Sequence, residues 1–479
     1  MKYPPAISSN DRQTVLTDAI DWALAHGLVV RPTVDKQHHF KNQSAVTHAP
    51  FALYPTPFPR AEFEKAKGLQ QPWNTLIHQL SLDDALIKKA MSSLKGVDDF
   101  MEKLYDIYLK TQEEGVVQRA SLGIHRCDYL LHSTSDTESA RIQQVEFNTI
   151  AASFGSLSTW TSRLHRYMVE ASGKYAQGAI SIDQLPENRS VECLASGIAS
   201  AWKLYGNPQA HVLMVCQPGE RNAFDQRWIE FTLLESHGIR LLRRTLEEIN
   251  DKATLDPKTK ALLIDGHEIA VTYYRAGYAP EDYPSEKEWN ARLIVERSLS
   301  IKCPTVPYQL VGAKKVQQML TVPGVLEQYV DVYTADLLRE SFTGLYPLDA
   351  SEEGQRAYKM ALEEPERFVM KPQREGGGNN IYGNDIPSIL KKLSPEERNA
   401  YILMELIRSP PLQNLMVREG ELIEGDVASE LGIYGIYLND GDKAMVNEIG
   451  GHLLRTKAHA THEGGVAAGF AVIDSPLLI

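Results

Sequence analysis

Apolar positions near the start of the chain recur three and four residues apart. Val15, Leu16, Ala19, Ile20, Ala23 and Leu24 form the stripe of an amphipathic helix, with Asn10 or Asp11 as its cap and Gly27 as its stop. Leu28-Val29-Val30 reads as a strand directly after it. Residues 61–115 carry a mainly helical period, in which Gln71-Pro72 and Gly96 predict two breaks. Residues 121–148 predict two strands joined by a polar turn around Ser133-Thr134-Ser135-Asp136. After Gly155, Trp160, Leu164 and Met168 recur every four residues and predict a long helix.

A second unit begins near residue 208. The apolar strand His211–Cys216, a helix over 222–237 and strands over 239–242, 260–265 and 268–275 follow one another in α/β order, ending near residue 306. A third unit holds four long extended segments, 368–371, 401–407, 429–438 and 445–454, with helices between them, which predicts one antiparallel sheet. The expected fold class is therefore α/β or α+β, with units over 1–207, 208–306 and 307–479. No internal repeat or low-complexity tract interrupts the pattern.

Composition narrows the class. The chain has 479 residues, 43% of them apolar and 23% charged, as in soluble globular proteins. That excludes a disordered chain, a collagen, a coiled coil and a small disulfide scaffold. Its net charge of −12 argues against nucleic acid as the main partner, because phosphate backbones are held by clustered Lys and Arg. Cys127, Cys193, Cys216 and Cys303 form no CxxC pair and have no His at zinc-ligand spacing, so reduced thiols in the cytoplasm are expected. Met1 to Pro5 begin no signal-like apolar stretch, and no apolar run is long enough to span a bilayer.

Candidate chemistry lies in three places. The first is Lys371-Pro-Gln-Arg-Glu-Gly-Gly-Gly-Asn-Asn380, which follows an apolar strand and precedes a helix over 385–393. Consecutive glycines let backbone N–H groups approach an anion, and Lys371 and Arg374 add positive charge, so the segment reads as a phosphate cradle. It is neither a Walker A motif nor a GxGxxG fingerprint. The second is Gln144-Val-Glu-Phe-Asn148, where Glu146 and Asn148 share one strand face. Two oxygen donors there suit Mg²⁺, and Glu375 in the glycine-rich segment would be a third. The third is Gly450 to Lys457, where Arg455 and Lys457 alternate on a strand end and make a fork for carboxylate or phosphate. The small-sided run Glu463–Gly469 beyond it reads as a mobile lid. Taken singly, each also suits a solvated loop or strand face; together they point to phosphate chemistry. Glu220–Arg227 and Tyr274–Tyr278 sit where α/β folds bind small ligands. No HExxH or GxSxG pattern supports a zinc enzyme or serine hydrolase.

The runs Val145–Thr149 with Ala152–Gly155, Arg221–Arg227, Lys314–Gln318, Lys371–Asn380, Ser429–Gly435, His452–Lys457 and Gly464–Gly469 resemble, in order and over nearly the whole chain, the eukaryotic glutathione synthetase family. That resemblance implies an ATP-grasp ligase with an antiparallel-sheet ATP-binding unit, an inserted α/β substrate-binding domain, a glycine-rich loop and a C-terminal lid. It implies a cytoplasmic homodimer that joins γ-glutamylcysteine to glycine using ATP and Mg²⁺. By the same resemblance Glu146, Asn148 and Glu375 hold the metal. Glu146, Lys314, Lys371, Gly376, Gly377, Gly378, Asn379, Asn380, Tyr382, Met404, Glu405, Leu406, Ile407, Glu430, Lys457 and Glu463 form the ATP site. Arg126, Ile150, Ala151, Ala152, Ser153, Glu220, Arg221, Asn222, Gln226, Arg275, Tyr278, Arg455, Val466 and Ala467 hold the dipeptide or close over it. Arg126, Lys371 and Arg455 are the residues expected to act in catalysis. Two positions depart from the family's pattern: Ala151 stands where Ser is frequent, and Glu463 where Asp is common. The first removes one hydrogen bond to the dipeptide; the second keeps the charge. Rival readings are a sister ligase that uses β-alanine or serine, an inactive ATP-grasp binding protein, and a kinase, which would need HRD and DFG elements the chain lacks.

Overall fold

A computed structural model describes residues 3–5, 7–8, 10–32, 45–134, 139–171, 180–373, 379–461, 465–466, 469 and 471–479. The first predicted helix is Arg12–Ala25, which buries Val15, Leu16, Ala19 and Ala23. Gly27, at φ 72°, turns the chain into the short strand Val29–Val30. Two strands, Ser121–His132 and Arg141–Asn148, stand where the alternation predicted them, and the helix Gly155–Ala171 follows.

One expected break is absent. The helix Arg60–Ser81 runs straight through Pro72. Proline removes one backbone donor and crowds the preceding turn, at a cost of about 3 kcal/mol. Tertiary packing offsets that cost: Leu69, Trp73, Leu76, Ile77 and Leu80 are all buried, and Trp73 meets Phe147 and Phe342 at ring distances of 5.3 and 5.9 Å. That helix ends instead at Ser81, while the break expected at Gly96, φ 71°, is present, and a capped helix start follows each. The Asp83 carboxylate accepts the N–H groups of Ala85 and Leu86, both at 2.9 Å, and Asp98 accepts that of Met101 at 3.0 Å.

The centre of the molecule is a 13-stranded mixed sheet. Its middle strand, Glu421–Asn439, is buried continuously from Val427 onward and runs antiparallel to Ser121–His132 on one edge and Ala444–Ala458 on the other. Strand Ile301–Cys303 extends the sheet by a parallel pairing, Lys302 opposite Ser121, and brings in His267–Tyr274, His211–Val215 and Leu241–Arg244. The strands of the second predicted unit therefore continue the same sheet. The four long strands of the third unit do not form one sheet. Phe368–Pro372 and Tyr401–Glu405 join Leu345–Pro347 and Ile381–Tyr382 in a separate four-stranded antiparallel sheet, while Glu421–Asn439 and Ala444–Ala458 belong to the central one. The physical reason is burial. A strand covered on both faces needs a layer on each side, and helices Arg60–Ser81 and Ser190–Tyr205 pack on strand Glu421–Asn439.

Glycines make that close approach possible. A Cβ on Gly435 would come within 2.1 Å of the Asn74 carboxamide oxygen, and one on Gly197 within 2.6 Å of an Ile436 methyl carbon. At the chain end, the fully buried Asp474 accepts hydrogen bonds from the hydroxyls of Thr56 and Thr456 and from the N–H of Ser475. Burial outweighs these bonds and pushes its pKa from 3.8 up to about 7.

Two outcomes follow. Gly435→Val will destabilise the fold by about 1–3 kcal/mol in urea unfolding, because Asn74 and Gln70 must give way. The folded state binds the Asp474 proton more tightly than the unfolded chain does. Its contribution is therefore present below about pH 4 and lost as pH rises through 7. Unfolding free energy measured from pH 4 to 8 will fall more steeply for the wild type than for Asp474→Asn.

Candidate active site

A cleft of about 720 Å³ lies between the central sheet and the smaller sheet. Its floor is built on two paired strands that set Arg126 opposite Asn148 and Asp128 opposite Glu146. Asp128 is fully buried. Its carboxylate accepts from Arg126 at 2.6 and 2.8 Å, from the Arg455 guanidinium at 3.0 Å and from the Asn148 amide at 3.0 Å. Arg455 also pairs with Glu430, its neighbour across the strands. Burial opposes the charge of both arginines, yet Asp128 beside Arg126, and Glu430 and Asp128 beside Arg455, hold both guanidinium pKa values above the ordinary. Gly432 leaves the room this cluster needs, since a Cβ there would stand 2.7 Å from the Arg126 side chain and from Asp128. Asp128 was not among the expected site residues. The signal was its alternation with Arg126 on one strand, an acid placed to pair with a buried cation.

Next to this cluster two lysines converge. Lys314 Nζ donates to Glu146 at 2.8 Å, and Lys371 Nζ donates to the Val145 carbonyl at 3.1 Å. Burial works to raise the Glu146 pKa, but Lys314 and Lys371 outweigh it and keep the carboxyl ionised below its usual range. Gln373 fixes the start of the Lys314 helix by accepting the Lys315 N–H at 2.8 Å. Asn379, Asn380, Tyr382 and residues 404–407 line the same cleft, as do Glu430 and Lys457. Behind them Val369, Met404, Tyr382, Leu406 and Ile407 form one apolar cluster on the smaller sheet. A flat apolar slot beside lysines fits a base followed by phosphates.

The far end of the cleft is built for a different ligand. Ile150, Ala151, Ala152 and Ser153 line it, opposite Glu220, Asn222, Arg275 and Tyr278. Ala151 and Phe154 hold φ at 50° and 71°, a left-handed conformation that non-glycine residues rarely keep without support. Asp225, fully buried, supplies that support: it accepts the N–H groups of Phe154 at 2.8 Å, Ser156 at 2.9 Å and Leu157 at 3.2 Å, and it pairs with Arg275 at 2.8 Å. Asp225, like Asp128, was missed by the sequence reading. The Nε and Nη1 of Arg275 and the Oδ1 of Asn222 are buried with no partner among the described residues. Those groups, with the Arg126 guanidinium, can bind a carboxylate or an amide.

Two expected contacts lie off the cleft. Arg221 is exposed and donates to the Arg31 carbonyl at 3.1 Å. Gln226 is buried behind the wall, where it donates to Glu220 at 3.2 Å and accepts from Arg243 at 2.6 Å. Val466 lines the cleft. Glu375, Gly376, Gly377, Gly378, Glu463 and Ala467 lie outside the described residues. The glycine-rich segment lies between the cleft-lining Lys371 and Asn379, Glu463 between the cleft-lining Thr461 and Gly465, and Ala467 directly after the cleft-lining Val466.

Fold and site define a class: a mixed α/β enzyme with a cleft that joins an apolar slot and two lysines to an arginine-lined end. The chain belongs to the eukaryotic glutathione synthase family, whose ATP-binding-domain model matches residues 9–478. It is 44% identical to the glutathione synthetase of Dictyostelium discoideum over 467 residues, covering 96% of this chain and 97% of that one. The Homo sapiens glutathione synthetase is 43% identical over 462 residues, covering 96% and 95%. Among solved structures, a glutathione synthetase-like effector, GSS30, from Globodera pallida in its apo form superposes with a TM-score of 0.78 at 25% identity, over 99% of this chain and 98% of that one.

Asp128→Asn will leave two buried arginines short of their shared counter-charge. It will cost about 3–5 kcal/mol in chemical unfolding, far more than removal of a surface pair such as Arg119–Asp442.

Proposed function

We propose that the chain is a glutathione synthetase that ligates γ-glutamylcysteine to glycine at the cost of ATP, through an acyl phosphate. The observation that carries this reading is the meeting of Lys314 and Lys371 with Arg126 and Arg455 in one cleft, between the apolar slot and the Arg275 end. ATP lies with its base against Met404 to Ile407 and its phosphates toward Lys314, Lys371 and Lys457. The dipeptide lies toward Ser153, Glu220, Asn222, Arg275 and Tyr278. Its C-terminal carboxylate attacks the γ-phosphorus, ADP leaves, and the glycine amine then attacks the acyl carbon and expels phosphate. Positioning and charge neutralisation dominate such phosphoryl transfer. Arg126 and Arg455, rigidly held by Asp128, are set to stabilise the oxygen that gains charge when the amine adds.

The donors present fit Mg²⁺. Asn148 commits its amide N–H to Asp128 and to the Arg126 carbonyl, at 3.0 and 3.2 Å, which leaves its oxygen toward the cleft, beside the ionised Glu146. Mg²⁺ takes few protein oxygens and keeps water and phosphate oxygens as its other ligands. Glu146, Asn148 and, by resemblance, Glu375 would hold it, and it would neutralise charge on the phosphates. The glycine-rich segment 375–380 and the 463–469 segment would shield the acyl phosphate from water.

The proposal extends to a homodimer. Tyr167, Phe231 and Leu234 are exposed on helices Gly155–Ala171 and Ala223–His237, which pack together, and so offer an apolar face to a second copy. Four free cysteines support a reducing, cytoplasmic setting. No described helix is long and apolar enough to cross a membrane. The three units 1–207, 208–306 and 307–479 remain the proposed division of the chain.

ADP release measured with γ-glutamylcysteine, with and without glycine, tests the reading. Release will depend on both substrates; release without either one rejects the ligase. Glu146→Gln will lower kcat by about 10²-fold or more and raise the Mg²⁺ concentration needed for half-maximal rate. A wild-type Mg²⁺ requirement would remove Glu146 from the metal site.

A further inference from the structure

A second cavity, of about 1020 Å³, shares no lining residue with the first. Its volume lies just above the usual range of small-molecule sites, roughly 300–1,000 Å³. It lies at the seam where strand Ile301–Cys303 joins strand Ser121–His132, and the two residues of that pairing, Lys302 and Ser121, both line it.

Its interior holds Lys302 and Glu296, which form no ion pair with each other among the described residues, and the fully buried Arg292 acts on both. Lys302 is 2% exposed. Its ammonium donates to the Ser298 carbonyl at 2.8 Å, and its two other protons have no hydrogen-bond acceptor among the described residues. Burial lowers its pKa only to about 8, so it is charged at neutral pH. Glu296 accepts the Val306 N–H at 2.9 Å through one oxygen, while the other is buried without a partner. The nearby His78 is held neutral by burial, with a pKa near 4, and bonds to the Tyr308 hydroxyl at 2.8 Å. At the mouth, Glu114 is already paired with Arg297 and Asp442 with Arg119, whereas Lys260 forms no ion pair with a described residue. Val116 and Val117 line the wall and are 47% and 40% exposed.

We propose that this cavity is a second ligand site for a small peptide-like zwitterion carrying more carboxylates than amines. A carboxylate meets Lys302, an ammonium meets the free oxygen of Glu296, a second carboxylate meets Lys260, and an apolar body lies along Val116 and Val117. Glutathione has this chemistry, and its choice as the ligand rests on the function proposed above.

Calorimetric titration of the full chain with glutathione tests the site. Two glutathiones per chain are expected, one of them displaced by γ-glutamylcysteine with a non-hydrolysable ATP analogue and the other not. Lys302→Met and Val117→Trp, which fills the cavity from its wall, will each weaken the non-displaced binding at least tenfold. Val117→Trp will leave the rate of synthesis within twofold of wild type, and it decides the matter if Lys302→Met does not fold. A single binding event, or a second one untouched by Val117→Trp, overturns the inference. The ADP-release assay reads the function separately, so an active enzyme that binds one glutathione overturns this site alone.

Discussion

The arginine floor of the cleft depends on one buried carboxylate. Asp128 ties Arg126, on its own strand, to Arg455 on a strand two places away and to Asn148 on the neighbouring one. A charge so deep is tolerable only when it is fully hydrogen-bonded. The same demand fixes both guanidinium groups in place before any substrate arrives. In the proposed ligation that rigidity would leave no reorganisation for the moment of reaction. The cost appears in the strand above, where position 432 has to be glycine-sized.

A second constraint works at the other end. Asp225 holds a turn whose Ala151 and Phe154 sit in left-handed backbone, and the same carboxylate orients Arg275. Both acids therefore act through arginines that line the cleft. Between them the cleft keeps a graded polarity, from the apolar slot of the smaller sheet, through the lysines, to the arginine end. An acidic protein of net charge −12 thus presents a local positive pocket, because its cations are gathered there by folding while its surface acids are spread.

Much of the site was legible as motif. Glu146 with Asn148, and Arg455 with Lys457, were placed by strand alternation and Lys371 by the glycines that follow it, and all five line one cleft. Arg221 and Gln226 were read with the same helix start, yet one turns outward and the other backs the wall, because a helix start exposes its residues to several directions at once. Asp128 and Asp225 escaped notice because a lone acid in a strand or a helix looks like surface until its partners, far away in sequence, are known.

By itself the sequence determined the local elements and the residue chemistry. Helix Arg12–Ala25 and the paired strands Ser121–His132 and Arg141–Asn148 follow from patterns a few residues long. Tertiary structure alone decided three things: that a helix survives Pro72, that the long strands of the last unit divide between two sheets, and that strand Ile301–Cys303 carries the central sheet onward into His267–Tyr274 and His211–Val215. The reason is the same in each case. Local propensity is worth about a kilocalorie per residue, whereas burying a face of Leu, Trp and Ile side chains is worth several, and which face is buried is set by partners that no local window contains.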